Sequence, residues 1–134
     1  MTPEELIALA KEAMGHSYSP YSRCKVGAAL LCADGSVYCG TNIENAAFGP
    51  TVCAERNAFF KAVYDGHRDF TAIAVCGGRD GLIAGPFQPC GVCRQVMREF
   101  CRDDFLVYMV NETGCDTVTL GQLLPYSFSP ENLE

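Results

Sequence analysis

Three cysteines and a glutamate stand in the spacing of a hydrolytic metal centre. The segment "PCGVC" puts Cys90 and Cys93 at what reads as the opening of a helix, and "TVCAERNAFF" puts Cys53 two positions before Glu55 at the opening of another. A CxxC pair entering a helix can hold one zinc ion at Zn–S distances of about 2.3 Å, and it needs further ligands from elsewhere in the chain. Cys53 is the natural third. A structural zinc site takes four protein ligands, commonly from two such knuckles, and no second cysteine lies near Cys53 in sequence. Three thiolates leave one position open for water, and a carboxylate beside that water is the apparatus of metal-assisted hydrolysis. Three thiolates also outweigh the charge of Zn²⁺ and weaken its power to acidify water. Two devices in the sequence can offset this: both ligand segments open helices, whose N-termini carry partial positive charge and free N–H donors, and Arg56 follows Cys53 closely enough to donate to a ligand sulfur.

Other readings of these residues stay open at this level. A fourth thiol from Cys39, Cys76 or Cys101 would close the site into a structural one, although no second knuckle supports it. A thioredoxin-like redox pair at Cys90 and Cys93 lacks the expected context. Cys32, Cys76 and Cys101 read as buried core hydrophobes. Neither histidine reads as a ligand: His16 follows a helix stop and His67 follows Gly66, so both are expected to be solvated loop residues. Arg56 taken alone could be a solvated surface arginine.

Composition narrows the setting. A chain of 134 residues, 49% of them hydrophobic, suits one catalytic domain over 1–134 burying roughly two thirds of its unfolded surface. No apolar run reaches the roughly 18 residues that span a bilayer, and no N-terminal stretch resembles a signal peptide, so a soluble cytoplasmic protein with reduced thiols is expected despite nine cysteines. The net charge of −6 and scattered Lys and Arg disfavour a nucleic-acid partner, because neutralising phosphates requires a basic face. The expected partner is a small molecule.

The elements that must position the chemistry follow from punctuation and periodicity. Thr2-Pro3-Glu4-Glu5 fits a capping box with Pro at the first helical position, Leu6, Leu9, Ala10, Ala13 and Met14 form one apolar face, and Gly15 suits the stop. "CKVGAALLC" and "VYCGTNI", joined through "ADGS", predict a hairpin over residues 24 to 43. A helix is expected from Val52 to about Asp65, a buried strand in "FTAIAVCGG", a helix in "GVCRQVMREFC", a strand in "DFLVYMVN" and a short helix in "TLGQLL". This alternation predicts an α/β layer with helices covering a largely buried sheet.

"CAE" followed by "PCGVC" resembles the signature of zinc-dependent nucleobase deaminases, in which the Glu is not a ligand. The likeness extends through "PYSRCKVGAALL", "GTNIENAAFG", "CAERNAFFKAV", "PCGVCRQVMREF" and "LLPYSFSPENL", so that nearly the whole chain resembles the small homotetrameric cytidine deaminases. The resemblance implies a three-layer α/β/α sandwich around a five-stranded mixed sheet. It implies hydrolysis of cytidine and deoxycytidine to uridine and deoxyuridine with release of ammonia, a pyrimidine-salvage reaction. One zinc per subunit would be held by Cys53, Cys90 and Cys93, with Glu55 as proton shuttle. By the same resemblance, Asn42 and Glu44 contact the ribose 3′-hydroxyl, the backbone around Ala54 receives the polar edge of the pyrimidine, and Phe128 covers the base in a neighbouring subunit, so that active sites are shared in a homotetramer. Asn42 and Glu44 alone would read as turn residues, and Phe128 as a C-terminal core anchor. Two positions depart from the pattern. Cys24 stands where relatives carry phenylalanine against the nucleoside, and Phe48 where many carry tyrosine, which changes contacts to the nucleoside and leaves the reaction class intact. A related deaminase acting on another aminated pyrimidine or nucleoside-like compound, and a catalytically silent zinc-binding subunit, are the alternatives.

Overall fold

The computed structural model describes residues 1–134. Helix α1 spans Pro3–Met14, strands β1 and β2 span Cys24–Cys32 and Val37–Thr41, and helix α2 spans Ala54–Tyr64. Strand β3 (Phe70–Arg79), helix α3 (Gly91–Phe100), strands β4 (Leu106–Asn111) and β5 (Gly114–Thr119) and the short helix α4 (Leu120–Leu123) follow, with a 3-10 turn at Pro130–Leu133. The capping box of α1 forms as its sequence implies: Glu5 N–H donates to Thr2 Oγ1 at 3.2 Å, and Thr2 N–H donates to Glu5 Oε2 at 3.1 Å.

The sheet order is β2-β1-β3-β4-β5, with β3 and β4 parallel and the other pairs antiparallel, so the expected five-stranded mixed sheet is present. Alternation along the strands divides the core in two. Val26, Ala28, Leu30, Ile73, Val75 and Val107 face α2 and α3, whereas Ala29, Ala72, Ala74 and Cys76 face α1. Helices on both faces complete the three layers.

Small residues let α2 sit close to the sheet. A Cβ on Gly40 of β2 would lie 2.3 Å from the carbonyl oxygen of Ala54 and 2.6 Å from the amide nitrogen of Ala58, so only glycine admits this approach. On the other face Gly27 meets α1 in the same way, its hypothetical Cβ falling 2.0 Å from Ala10 O. Phe59 then clamps α2 laterally, its ring centroid 5.1 Å from Phe70 and 6.1 Å from Phe105.

Several boundaries differ from the sequence reading. β2 ends at Thr41, where the "NI" of "VYCGTNI" leaves the ladder, and α2 begins at Ala54, not Val52, because Cys53 has the extended backbone of an N-cap. Periodicity shows no strand at Gly114–Thr119. β5 is a largely exposed edge strand pairing only with β4, so it lacks an apolar alternation.

Candidate active site

Cys53 and Cys90 are the N-cap residues of α2 and α3, and neither helix has a side-chain cap. The first-turn N–H groups of both helices, which lack intrahelical partners, therefore face the same place from two directions. Cys53 Sγ lies 3.7 Å from Cys90 Sγ, Cys90 Sγ lies 3.5 Å from Cys93 Sγ, and all three sulfurs fall within 4.8 Å of one another. Tetrahedral zinc with sulfurs at about 2.3 Å requires S···S separations of about 3.8 Å, so the three thiols fit that ion with little movement.

No fourth thiol joins them. Cys39 and Cys76 pack with the α1 side of the sheet. Burial pushes the Cys76 and Cys101 thiols up to about 11 and about 12, the behaviour of inert core cysteines. Cys24 is also outside the cluster. Three donors would leave the fourth position of a tetrahedral ion to solvent or substrate.

Charge is unevenly held among the thiols. The hydrogen bond from Cys93 holds Cys53 well below the ordinary thiol range against the opposing effect of burial, helped by Arg56, whose Nη2 is 3.5 Å from Cys53 Sγ. Cys93, donating to Cys53 and buried, is pushed up correspondingly. A divalent cation between them would replace the protons. Arg56 Nε is buried without a hydrogen-bond partner, while its Nη2 donates to the Cys53 sulfur.

Glu55 occupies the first turn of α2, is 2% exposed and is not part of the set of mutually close ligand atoms. Burial pushes its carboxyl up to about 7, its own backbone N–H opposes this, and the neighbouring Cys53 charge adds to it. A carboxyl balanced near neutrality can both take and give a proton.

The sugar-contact candidates lie on the adjoining strap. Ile43 and Val52 exchange backbone hydrogen bonds at 3.0 Å, which fastens the 42–44 segment beside Cys53. Glu44 Oε1 accepts from the Tyr21 and Ser22 N–H groups at 3.0 and 3.1 Å, and its other oxygen accepts from the Ser22 hydroxyl. Asn42 is buried and turned inward: Oδ1 accepts from Ser17 Oγ and Val26 N–H, and Nδ2 donates to Cys24 O. One amide N–H of Asn42 has no part in those bonds. Cys24, at the start of β1, shares by alternation the face of Val26 and Ala28, the side occupied by α2 and α3. Ala54 is fully buried at the first turn of α2.

Phe48 has φ +61° and is exposed, with its ring edge-to-face with Tyr21 at 6.2 Å. Phe128 is 57% exposed, so it is not a core anchor within this chain; its carbonyl accepts from Gln95 Nε2 of α3 at 2.9 Å. Arg94 escapes a motif reading although it neighbours Cys93. Its Nε donates to Pro89 O at 2.7 Å and its Nη1 to Leu123 O at 2.8 Å, tying the Cys90 turn to the end of α4. A cavity of about 460 Å³ between α1, β2 and α2, bordered by His16, Cys39 and Lys61, contains none of these groups. The converging chemistry, and not that volume, locates the site.

A family model described as the cytidine and deoxycytidylate deaminase zinc-binding region matches residues 1–109. The cytidine deaminase of Sporosarcina psychrophila is 51% identical over 134 residues, covering 99% of this chain and 96% of its own, and that of Halalkalibacterium halodurans is 48% identical, covering 99% and 98%. The crystal structure of cytidine deaminase from Burkholderia pseudomallei superposes with a TM-score of 0.89 at 45% identity, over 96% of this chain and 100% of that one. On these likenesses, and with a donor set that fits zinc, the chain belongs to the cytidine and deoxycytidylate deaminase family.

Proposed function

We propose that the chain is a zinc-dependent deaminase of free cytidine and deoxycytidine, working as one catalytic domain over residues 1–134. The observation that supports this most is a buried Glu55, balanced near neutrality, beside three thiols that converge from two helix N-termini.

Cys53, Cys90 and Cys93 would hold one zinc ion per chain in this cradle. Bound there, zinc supplies Lewis acidity that makes water a nucleophile at neutral pH. Glu55 takes a proton from the attacking water as the new C4–O bond forms and delivers it to ring N3; it then takes the proton of the C4 hydroxyl and passes it to the amino group as the C4–N bond breaks, leaving a C4 carbonyl and free ammonia. Arg56 and the first-turn N–H groups draw charge from the sulfurs and so counter the excess of three thiolates. Asn42 and Glu44 orient the ribose, the backbone at Ala54 receives the polar edge of the base, and Cys24 and Phe48 line the nucleoside pocket.

The assembly reading is a homotetramer with shared sites, in the cytoplasm. Its support is an apolar stretch between α2 and α3, where Phe60 and Val92 are exposed beside a half-buried Val96, together with the exposed Phe128, whose backbone carbonyl is tied to Gln95 of α3. No helix is long and apolar enough to cross a membrane.

The net charge of −6 argues for nucleosides over their phosphates or single-stranded DNA. An ultraviolet assay comparing cytidine, cytidine 5′-monophosphate and single-stranded DNA tests this, with conversion of cytidine only as the expected result. Comparable turnover of the monophosphate contradicts the nucleoside assignment. Ammonia from another aminated pyrimidine but not from cytidine would move the reading to a related deaminase, and zinc binding with no ammonia from any of them would indicate a silent subunit.

A further inference from the structure

A second group of metal-type donors gathers at the opposite end of α2. Cys32 ends β1, Asp34 sits in the turn to β2, and His67 follows the end of α2; one ligand atom from each lies within 4.8 Å of the others. Helix α2 has 11 residues, so about 16 Å of helix separates this group from the cradle at Cys53.

The backbone around the three residues is already fixed. Cys32 N–H donates to Ser36 O at 2.9 Å and Gly35 N–H to Cys32 O at 3.0 Å, closing the turn. Ala33 N–H donates to Asp69 O at 2.9 Å and His67 N–H to Ala62 O at 3.0 Å, fastening that turn to the chain leaving α2. The side chains are oriented as well. Asp34 Oδ1 accepts from the N–H and hydroxyl of Ser36 at 3.0 and 2.5 Å, which leaves Oδ2 directed at His67 Nδ1, 3.7 Å away. The His67 ring packs edge-on against Tyr38 at 5.3 Å, and the Tyr38 hydroxyl is anchored on Asp65 at 2.6 Å. Hydrogen-bonded carboxylates and braced imidazoles are the supports that ligands have in known metal sites.

Two other readings fit less well. In a nucleophilic relay of thiol, imidazole and carboxylate the acid lies beyond the imidazole from the thiol; here the three ligand atoms form a closed triangle, and Cys32 is only 1% exposed, too deep for a substrate. An isolated surface ion pair between Asp34 and His67 would not need a sulfur at its inner vertex. Instead, Cys32 closes the triangle from below, His67 is 23% exposed at its side, and Asp34 is 61% exposed at its mouth, which leaves an entry from solvent.

We propose that Cys32, Asp34 and His67 form a second, weaker site for a zinc-class divalent cation, which ties the β1–β2 turn to the end of the helix that carries Cys53 and Glu55. A thiolate, an imidazole and a carboxylate with one solvent position make a four-coordinate set suited to Zn²⁺, Co²⁺ or Cd²⁺, whereas Mg²⁺ and Ca²⁺ demand oxygen donors. The site is weaker than the three-thiolate cradle because only one ligand is a thiolate and the carboxylate must be withdrawn from water. Binding to the folded chain alone raises thermal stability.

The test is a Co²⁺ titration of the zinc-loaded protein, reading bound equivalents, thiolate-to-cobalt absorption and Tm, with Cys32→Ser and His67→Asn alongside. The native chain is expected to take up one equivalent beyond the cradle ion, with new absorption and a higher Tm. Both variants should lose that equivalent and the rise in Tm while keeping the cradle ion and full deamination. Cys32→Ser alters a buried position, so His67→Asn, on a half-buried loop, decides the matter if the first variant fails to fold. The proposal is overturned if the native chain binds no second equivalent, or if His67→Asn retains it.

Discussion

Replacing Gly40 by alanine tests whether the close seat of α2 on the sheet positions the chemistry. The added Cβ would fall 2.3 Å from Ala54 O, 2.6 Å from Ala58 N and 3.2 Å from Ala58 Cα, and contacts under 3.0 Å do not persist. The obstructing atoms are backbone, so no side chain can rotate away; α2 itself must move by a large fraction of an ångström at its first two turns. Overpacking of this kind costs about 1–3 kcal/mol. At about 2.1 cal/mol/K per residue, the unfolding entropy of 134 residues is about 0.28 kcal/mol/K, so Tm should fall by about 4–11 °C. The displaced turn carries Glu55 and begins at Cys53, and misplacing a catalytic group by about 1 Å can cost on the order of 10²-fold in rate. Thermal unfolding and cytidine turnover of Gly40→Ala measure both effects. Gly85→Ala, where nothing lies within 4 Å of the new Cβ, serves as the control and should change neither. A Gly40→Ala protein with native Tm and native turnover would refute the claim that the β2–α2 approach holds the site.

Cys24→Phe should lower KM several-fold with little change in kcat, since an apolar contact made equally in ground and transition states is worth about 1–3 kcal/mol in a pocket; zinc content should be unchanged in both Cys24→Phe and Cys24→Ala, and an unaltered KM would show that residue 24 does not face the substrate. Glu55 must be ionised to accept a proton, and its carboxyl is raised to about 7 by burial, so kcat/KM should fall about tenfold per pH unit below an apparent pKa no higher than about 7. The acid limb follows from the sign of the shift: lowering pH fills the very group that must be empty, and a pH profile flat down to the ordinary carboxylate range would contradict it. Deleting residues 125 to 134 removes Phe128 and should impair activity more than zinc content; a fully active monomer in sedimentation experiments would refute the shared site.

The chemistry was legible where it resides in local pattern. A CxxC pair and a Cys-x-Glu step each at a helix opening were enough to nominate the cradle and the carboxylate, because N-cap geometry is written in a few adjacent residues. The α1 capping box and the limits of β1 were readable for the same reason. What escaped depends on partners distant in sequence. β5 owes its existence to pairing with β4, not to its own polar segment, and only the resemblance supplied a fifth strand. Asn42 read as a turn residue or a sugar ligand, whereas its buried amide also stitches Ser17, Cys24 and Val26 together. Gly40 carried no motif, since its constraint lies in the backbone of a helix that follows in the chain. His67 read as a solvated loop histidine because nothing near it in sequence reveals that the β1–β2 turn brings Cys32 and Asp34 alongside.

The most direct test of the central claim is the turnover of cytidine by Glu55→Ala, measured on protein whose zinc content is determined in the same sample. If Glu55 moves the protons and the three cysteines alone hold the metal, the variant keeps about one tightly bound zinc per chain and loses several orders of magnitude in kcat, because proton transfer fails at more than one step. Retention of more than about a tenth of the native rate, far above what loss of a proton-transfer group worth roughly 10²–10⁴-fold allows, would contradict the account, and so would loss of the zinc together with the rate.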